Sequence, residues 1–271
     1  MNKLQDKVVI ITGSSMGIGK VMAQQILEQG AKVVLNARNE KRLQATYDFF
    51  KTKGYPVIAQ AGDVSKTEDC QALIDAAVSA FGQIDVLVNN AGISMEGEVV
   101  DVAPEVFRKV MEVNYLGTVF PTKAALPHLR STKGSVIFIS SAAGIRGLPR
   151  YAVYSSSKMA LTALAESMKI ELHGSGIHLG IAYVGFTEND EEKTIYDSNG
   201  EIIAQPKRNF IKAEPQAQVA QRIIRMIEKR RFKEVFTPLG KLNAVVNRIA
   251  PNLGDIILRK NYFKRWGDKT N

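Results

Sequence analysis

Cysteine is nearly absent from this 271-residue sequence, where Cys70 stands alone. A single thiol excludes an internal disulfide and cannot share a metal with other cysteines. Histidine is sparse too: His128, His173 and His178 show no metal-ligand spacing and read as ordinary surface or helix-end residues. No apolar run reaches the roughly 18 residues that a membrane-spanning helix needs. Nothing resembling a signal peptide precedes the first apolar run, KVVIITG, so the expected compartment is cytoplasmic. Acidic charge is scarce only at the C-terminal end. Residues 222–271 hold 13 Lys+Arg against 4 Asp+Glu, the whole of the +9 net charge, while residues 1–221 hold 23 of each. No nucleic-acid reader motif accompanies those basic residues, so no nucleic-acid partner is expected. Repeats and low-complexity linkers are also missing. What remains, 45% hydrophobic and 23% charged, is an ordinary globular composition long enough to bury a sizeable core.

Apolar, β-branched runs alternate with helical patterns along the chain. KVVIIT (7–12), AKVVLNA (31–37), PVIAQAGD (56–63), DVLVNNAG (85–92), GSVIFISSAAG (134–144), IHLGIAYVG (177–185) and KEVFTP (233–238) read as strands. Helices are expected from about Gly17 to Gln29, over 39–54 and 66–82, from Pro104 to Leu129 and from Ala152 to His173. Nearly continuous apolar strands belong in sheets covered by helices on both faces. The fold class is therefore α/β: a Rossmann-type, doubly wound parallel sheet of about seven strands. Ligands in such sheets bind beyond the carboxyl ends of the strands. Residues 1–238 form the expected main domain, with 186–216 as its polar, least regular region and 239–271 as a C-terminal helical extension.

TGSSMGIGK (12–20) follows the first strand and opens the first helix. Glycines here allow a tight turn and a close approach to a pyrophosphate, which the helix N-terminus attracts. Gly13, Ser14, Ser15, Gly17, Ile18 and Gly19 are therefore candidate cofactor residues. The second strand ends in NARNEKR, with Arg38 where an NAD-binding chain normally places an acid. A guanidinium binds a 2′-phosphate with charge-assisted hydrogen bonds, so NADP(H) is expected, with Ser14 and Asn39 assisting. Asp63-Val64, after the third strand, is placed to flank the adenine, or Asp63 is the N-cap of the next helix.

Tyr154 and Lys158 share one helix face at i, i+4. A free tyrosine ionises near pH ~10, and a neighbouring ammonium stabilises its phenolate. Ser141 ends the preceding strand, where a hydroxyl can reach a substrate oxygen. The serines between Tyr154 and Lys158 read mostly as helix surface.

These motifs together resemble the short-chain dehydrogenase/reductase family: Thr12-Gly-x-x-x-Gly-Ile-Gly19, Asn89-Asn-Ala-Gly92, Asn114, Ser141 and Tyr154-x-x-x-Lys158, over the chain to about residue 185. The resemblance implies that Tyr154 is the general acid in reduction, that Ser141 polarises the carbonyl, and that Lys158 binds the nicotinamide ribose. It also implies that Asn114 holds a water leading to Lys158, and that Asn90, Ala91 and Gly92 line the cofactor floor. Homodimers or homotetramers are the family expectation. After the sixth strand the family usually carries Pro-Gly and then a threonine. Here Val184 replaces the proline, Gly185 remains, and Thr187 comes early while Asn189 takes the usual threonine place. Both Gly185 and Thr187 are candidate cofactor contacts, and the resemblance makes residues 1–238 the NADP-binding catalytic domain with 186–216 as its substrate lid.

Ser94, Met95, Ala143, Ile145, Leu148 and Phe186 suggest a partly apolar pocket; no arginine fork for a compact acidic substrate is evident, and Arg146 and Arg150 are the candidates to contribute one. In the tail, Leu242, Val245, Val246 and Ile249 form a stripe; Leu253, Ile256, Ile257, Phe263 and Trp266 are interleaved with Arg259, Lys260, Lys264 and Arg265. Such a segment either lies on an anionic membrane surface or packs on its own domain or a sister subunit. The expected function is NADPH-dependent reduction of a ketone on a hydrophobic substrate, such as a 3-ketosphinganine or a steroid. The alternatives are a 3-oxoacyl thioester reductase and a non-catalytic NADP sensor.

Overall fold

The computed structural model describes residues 3–190, 192–205 and 213–267, without the side chain of Arg265. Parts of the expected lid (191 and 206–212) and the tail's last residues (268–271) lie outside that range.

Seven parallel strands form the central sheet: β1 Val8–Thr12, β2 Lys32–Ala37, β3 Val57–Ala61, β4 Val86–Asn89, β5 Ser135–Ser141, β6 His178–Val184 and β9 Lys233–Val235. Two short strands, β7 (Thr194–Tyr196) and β8 (Ile202–Ala204), pair separately. The order in the main sheet is β3-β2-β1-β4-β5-β6-β9, so the winding reverses between β1 and β4. Strands β1, β4 and β6 are buried along their whole length, because helices cover both faces. On one face lie α1 (Gly17–Leu27), α2 (Glu40–Lys51) and α7 (Gln216–Glu228). Their side chains, including Met22, Phe50 and Ile223, share a core cluster with Val9 and Val33. On the other face α3 (Thr67–Phe81), α5 (Gly117–Thr132) and α6 (Ala152–Glu171) pack Leu73, Leu129 and Leu161 against Ile10 and Phe138. Each such large apolar side chain contributes roughly 1.5–3 kcal/mol by leaving water.

Helix α4 (Pro104–Met111) runs into one π-helical turn, Glu112–Leu116, before α5 begins. Single π turns inside α-helices are often found at functional sites, and Asn114 sits in this one, fully buried.

Several expectations need correction. The lid region is not wholly irregular, because β7 and β8 form a hairpin whose turn carries Asn199-Gly200, with Gly200 at φ 87. That dipeptide is a strong hairpin signal, here set among polar residues that hide it. Helix α7 is an addition to the expected elements, although its Val219, Ile223, Ile224 and Ile227 follow helical spacing and are buried. His178 is not a surface residue. It is buried in β6, with Nδ1 on the Ser135 hydroxyl at 3.2 Å and Nε2 on the Arg231 carbonyl at 3.0 Å; burial holds its pKa below the usual imidazole value. Cys70 is buried, and burial, with the Asp69 charge next, pushes its thiol up to about 12. It is an inert core residue.

The tail folds as α8 (Pro238–Ile249) and α9 (Pro251–Trp266). Arg146, nearly buried, pins both: it donates to Asn247 Oδ1 at 2.9 Å and the Pro251 carbonyl at 3.1 Å, and pairs with Asp255. Arg150 lies 5.3 Å from the Trp266 ring and bridges Glu96 at 3.2 Å. Both arginines are thus committed within the fold and form no fork facing a substrate. The tail does pack on its own domain.

Candidate active site

The glycine turn leaves β1 at the switch in strand order, where open α/β sheets bind ligands. Gly13 has φ 62, and a Cβ there would stand 2.8 Å from Ala91 Cα. A Cβ on Gly19 would come within 2.6 Å of Asn90 Nδ2. The turn after β4 is clasped onto this loop. Asn90 Nδ2 donates to the Thr12 and Gly13 carbonyls at 3.0 and 2.9 Å, and Thr12 Oγ1 accepts from the Asn90 and Ala91 amides, each at 3.0 Å. The two turns therefore form one backbone cradle, and the small residues keep it open. Those features fit a dinucleotide, with Gly17, Ile18 and Gly19 opening α1 beneath it. Thr12 enters the sequence only as the first letter of a motif, yet its hydroxyl is the hub of this clasp.

Ser14 is fully buried, and its Oγ is bonded to the Asn36 backbone, accepting from the amide at 3.0 Å. It braces the turn against β2. Ser15 is also buried, and its carbonyl accepts from Thr46 at 3.0 Å. Asn39 caps α2, accepting from the Arg42 amide at 2.9 Å.

Arg38, Glu40, Gly62, Asp63 and Asp69 border a cleft of about 310 Å³ beyond β2 and β3. Arg38 reaches Asp63 at 3.6 Å and remains half exposed. Burial works against the Asp63 charge, but hydrogen bonds from Ser65 and the nearby Arg38 outweigh it and hold its carboxyl below the usual range. Asp63 accepts from Ser65, whereas the residue capping α3 is Lys66, so the N-cap alternative falls away. Val64 is buried and packs where a Cβ on Gly117 would stand.

Lys158 is 5% exposed, and its ammonium donates to the Ile139 carbonyl of β5 at 2.9 Å. Burial, with the Lys193 charge adding to it, pulls its pKa down to about 8. The ammonium stands 5.8 Å from the centre of the Tyr154 ring. A Cβ on Gly92 would lie 3.2 Å from Asn114 Oδ1 and 3.4 Å from Lys158 Nζ, so all three meet at one wall. Ser141 closes β5 two residues beyond Ile139, and its Oγ accepts from the Ala143 amide at 3.2 Å. That bond leaves the hydroxyl proton to point elsewhere. Hence β5, the π turn and α6 bring Asn114, Ser141, Tyr154 and Lys158 to the same edge of the sheet as the glycine cradle.

Two of the three serines inside the Tyr154–Lys158 pair are not helix surface. Ser155 and Ser157 are buried, the first accepting from the Leu148 amide at 3.2 Å, and only Ser156 is exposed. Gly185 packs against Thr237, and the Thr187 hydroxyl bonds the Gly185 carbonyl at 3.4 Å. Asp190 has no motif to announce it: its carboxylate accepts from the Gly17 amide at 2.7 Å and from Gln216 at 2.9 Å, which ties the lid to the start of α1. Met95, expected in the pocket, is wholly buried in a separate cluster with Val106 and Val153. A groove of about 700 Å³ runs between α6 and α9, with Leu148, Pro149, Met159, Ile256 and Phe263 in its walls.

Residues 7–200 match the short chain dehydrogenase family. The chain belongs to that family. It is 41% identical over 194 residues to an 11-beta-hydroxysteroid dehydrogenase-like 4A protein of Arabidopsis thaliana, covering 69% of this chain and 63% of that protein. The chain thus spans less than two thirds of that relative's length. Among solved structures, a short chain dehydrogenase/reductase from Burkholderia phymatum in complex with NAD superposes with a TM-score of 0.82 at 25% identity, over 94% of this chain and 97% of the other. An alcohol dehydrogenase from the archaeon Thermococcus sibiricus, complexed with 5-hydroxy-NADP, gives 0.74 at 25% identity, over 85% and 95%. This family member therefore shares its fold with proteins that bind either form of the coenzyme.

Proposed function

We propose that this family member is an NADP(H)-dependent oxidoreductase that reduces a ketone on a hydrophobic substrate to a secondary alcohol, reversibly. The convergence of Ser141, Tyr154 and Lys158 beside the glycine cradle carries this reading. Bound in that cradle, the dinucleotide supplies the hydride. The Ser141 hydroxyl donates to the substrate carbonyl oxygen and holds the charge that develops there. The Tyr154 phenol delivers the proton to that oxygen and recovers it in the reverse direction. The Lys158 ammonium favours the phenolate left behind and would hold the nicotinamide ribose of the bound dinucleotide. Asn114, which meets Lys158 at the Gly92 wall, would hold a water beside that ammonium.

Preference for NADP(H) rests on Arg38, whose half-exposed guanidinium stands at the end of β2 with no acid in its place. A hydrophobic substrate is supported by relatives named for hydroxysteroid dehydrogenase activity. The outward face of α9 adds a peripheral contact with anionic membrane. Leu253, Ile257, Lys260 and Lys264 recur at helical spacing and are all exposed. No helix among the described residues is long and apolar enough to cross a membrane.

Loss of NADPH absorbance against a panel of ketones, steroids and 3-oxoacyl thioesters tests the assignment. Turnover of hydrophobic ketones is expected. Tight NADPH binding with no turnover of any panel member overturns it in favour of a cofactor sensor.

A further inference from the structure

Ser157 is wholly enclosed in α6, between the two residues assigned to proton transfer. Its hydroxyl donates to the Tyr154 carbonyl at 2.7 Å and accepts from Asn114 Nδ2 at 2.9 Å. The other hydrogen of that amide goes to the Ile93 carbonyl at 2.9 Å, while Asn114 Oδ1 accepts from the Ile93 amide at 2.8 Å. Both hydrogens of the amide are therefore used, and its orientation is fixed, since a flip would turn oxygen to oxygen and N–H to N–H at Ile93.

The helix gains nothing local from a serine here. Alanine is the better helix former, and a hydroxyl bonded back to the preceding turn is slightly unfavourable. A buried hydroxyl is also costly unless its bonds are made. The residue makes sense through Asn114, on the facing π turn.

We propose that Ser157 is a positioning residue for the reaction: it locks the Asn114 amide to the turn of α6 that carries Tyr154. The Asn114 amide, the Lys158 ammonium and the Tyr154 phenol are then held as one unit over Gly92, where Asn114 and Lys158 already meet. This inference rests on the proposed proton-transfer role of Tyr154.

The test is a double-mutant cycle on the full chain, with Ser157→Ala and Asn114→Ala made singly and together. In Ser157→Ala, kcat is expected to fall at least about tenfold while KM and NADPH affinity stay within about twofold. In the Asn114→Ala background the same change should cost no more than about twofold, because the serine acts through that amide. A kcat within about twofold of wild type, or an equal loss in both backgrounds, overturns the proposal. Should the alanine variant not fold, Ser157→Cys, nearly isosteric but a weaker hydrogen-bonding group, is expected to show the same split between kcat and KM. A parallel Tyr154→Phe measurement separates the two readings. If that variant is inactive and Ser157→Ala is normal, only the positioning role fails; if it keeps full activity, the proton-transfer reading fails with it.

Discussion

Replacing Lys158 by methionine should abolish turnover and yet raise the stability of the coenzyme-free protein. The ammonium is buried, its pKa is pulled down to about 8, and its hydrogen bond goes to a neutral carbonyl, that of Ile139. A depression of that size corresponds to about 3 kcal/mol against the charged form at neutral pH, where both folded and unfolded chains still hold the proton. Losing the bond to Ile139 gives back about 1 kcal/mol. The net gain is about 2 kcal/mol, or roughly 4–8 °C in Tm for a domain of this size. Its pH dependence identifies the cause. Between about pH 8 and 10.5 the folded wild type has released a proton that the unfolded chain still holds. Wild-type stability from this group therefore rises across that window, and the advantage of the variant should shrink with it. Thermal melts followed by circular dichroism from about pH 6.5 to about 10 measure the difference directly. If Lys158→Met is less stable than wild type, or its advantage does not change with pH, the reasoning is refuted and the buried ammonium carries no such penalty.

Arg38→Asp should weaken NADPH by about two orders of magnitude, through loss of charge-assisted bonds and added repulsion, while NADH binding changes little; equal effects in fluorescence titrations refute the phosphate contact. Gly19→Ala should lower both Tm and NADPH affinity, because its Cβ meets Asn90 Nδ2 at 2.6 Å and must push the two turns apart; unchanged binding by calorimetry contradicts the cradle. Arg146→Ala removes the bonds to Asn247, Pro251 and Asp255, so limited proteolysis should release the tail while the core survives; equal resistance to wild type contradicts that anchoring role. Removing Arg259, Lys260 and Lys264 together should cut binding to phosphatidylserine vesicles by about 100-fold at low salt, at about 1 kcal/mol per cation; unchanged co-sedimentation removes the membrane contact.

The sheet was legible because its signal is repeated. The five inner strands are mostly apolar runs, and burial on both faces leaves no other place for them, whereas the edge strands β3 and β9 are only partly buried. The site was legible where one spacing encodes one face, as for Tyr154 and Lys158, or where glycines mark a backbone turn. Partners brought from afar were not. Ser157 looks like surface until the π turn carrying Asn114 is folded against it, and Ser14 looks like a phosphate contact until β2 takes its hydroxyl. Asp190 meets Gly17 across 173 residues of sequence separation, which no local pattern encodes. The hairpin β7–β8 is within reach of sequence reasoning, since Asn199-Gly200 announces it, but the polar residues around that pair resemble an irregular loop.

The crystal structure of the complex with NADPH bears most directly on the central claim. The account predicts the Tyr154 hydroxyl and the Ser141 Oγ on the reactive side of the nicotinamide ring, both within about 3 Å of a point where one carbonyl oxygen fits, and the Lys158 ammonium on the ribose. A nicotinamide ring bound with its reactive carbon turned away from Ser141 and Tyr154 would contradict it.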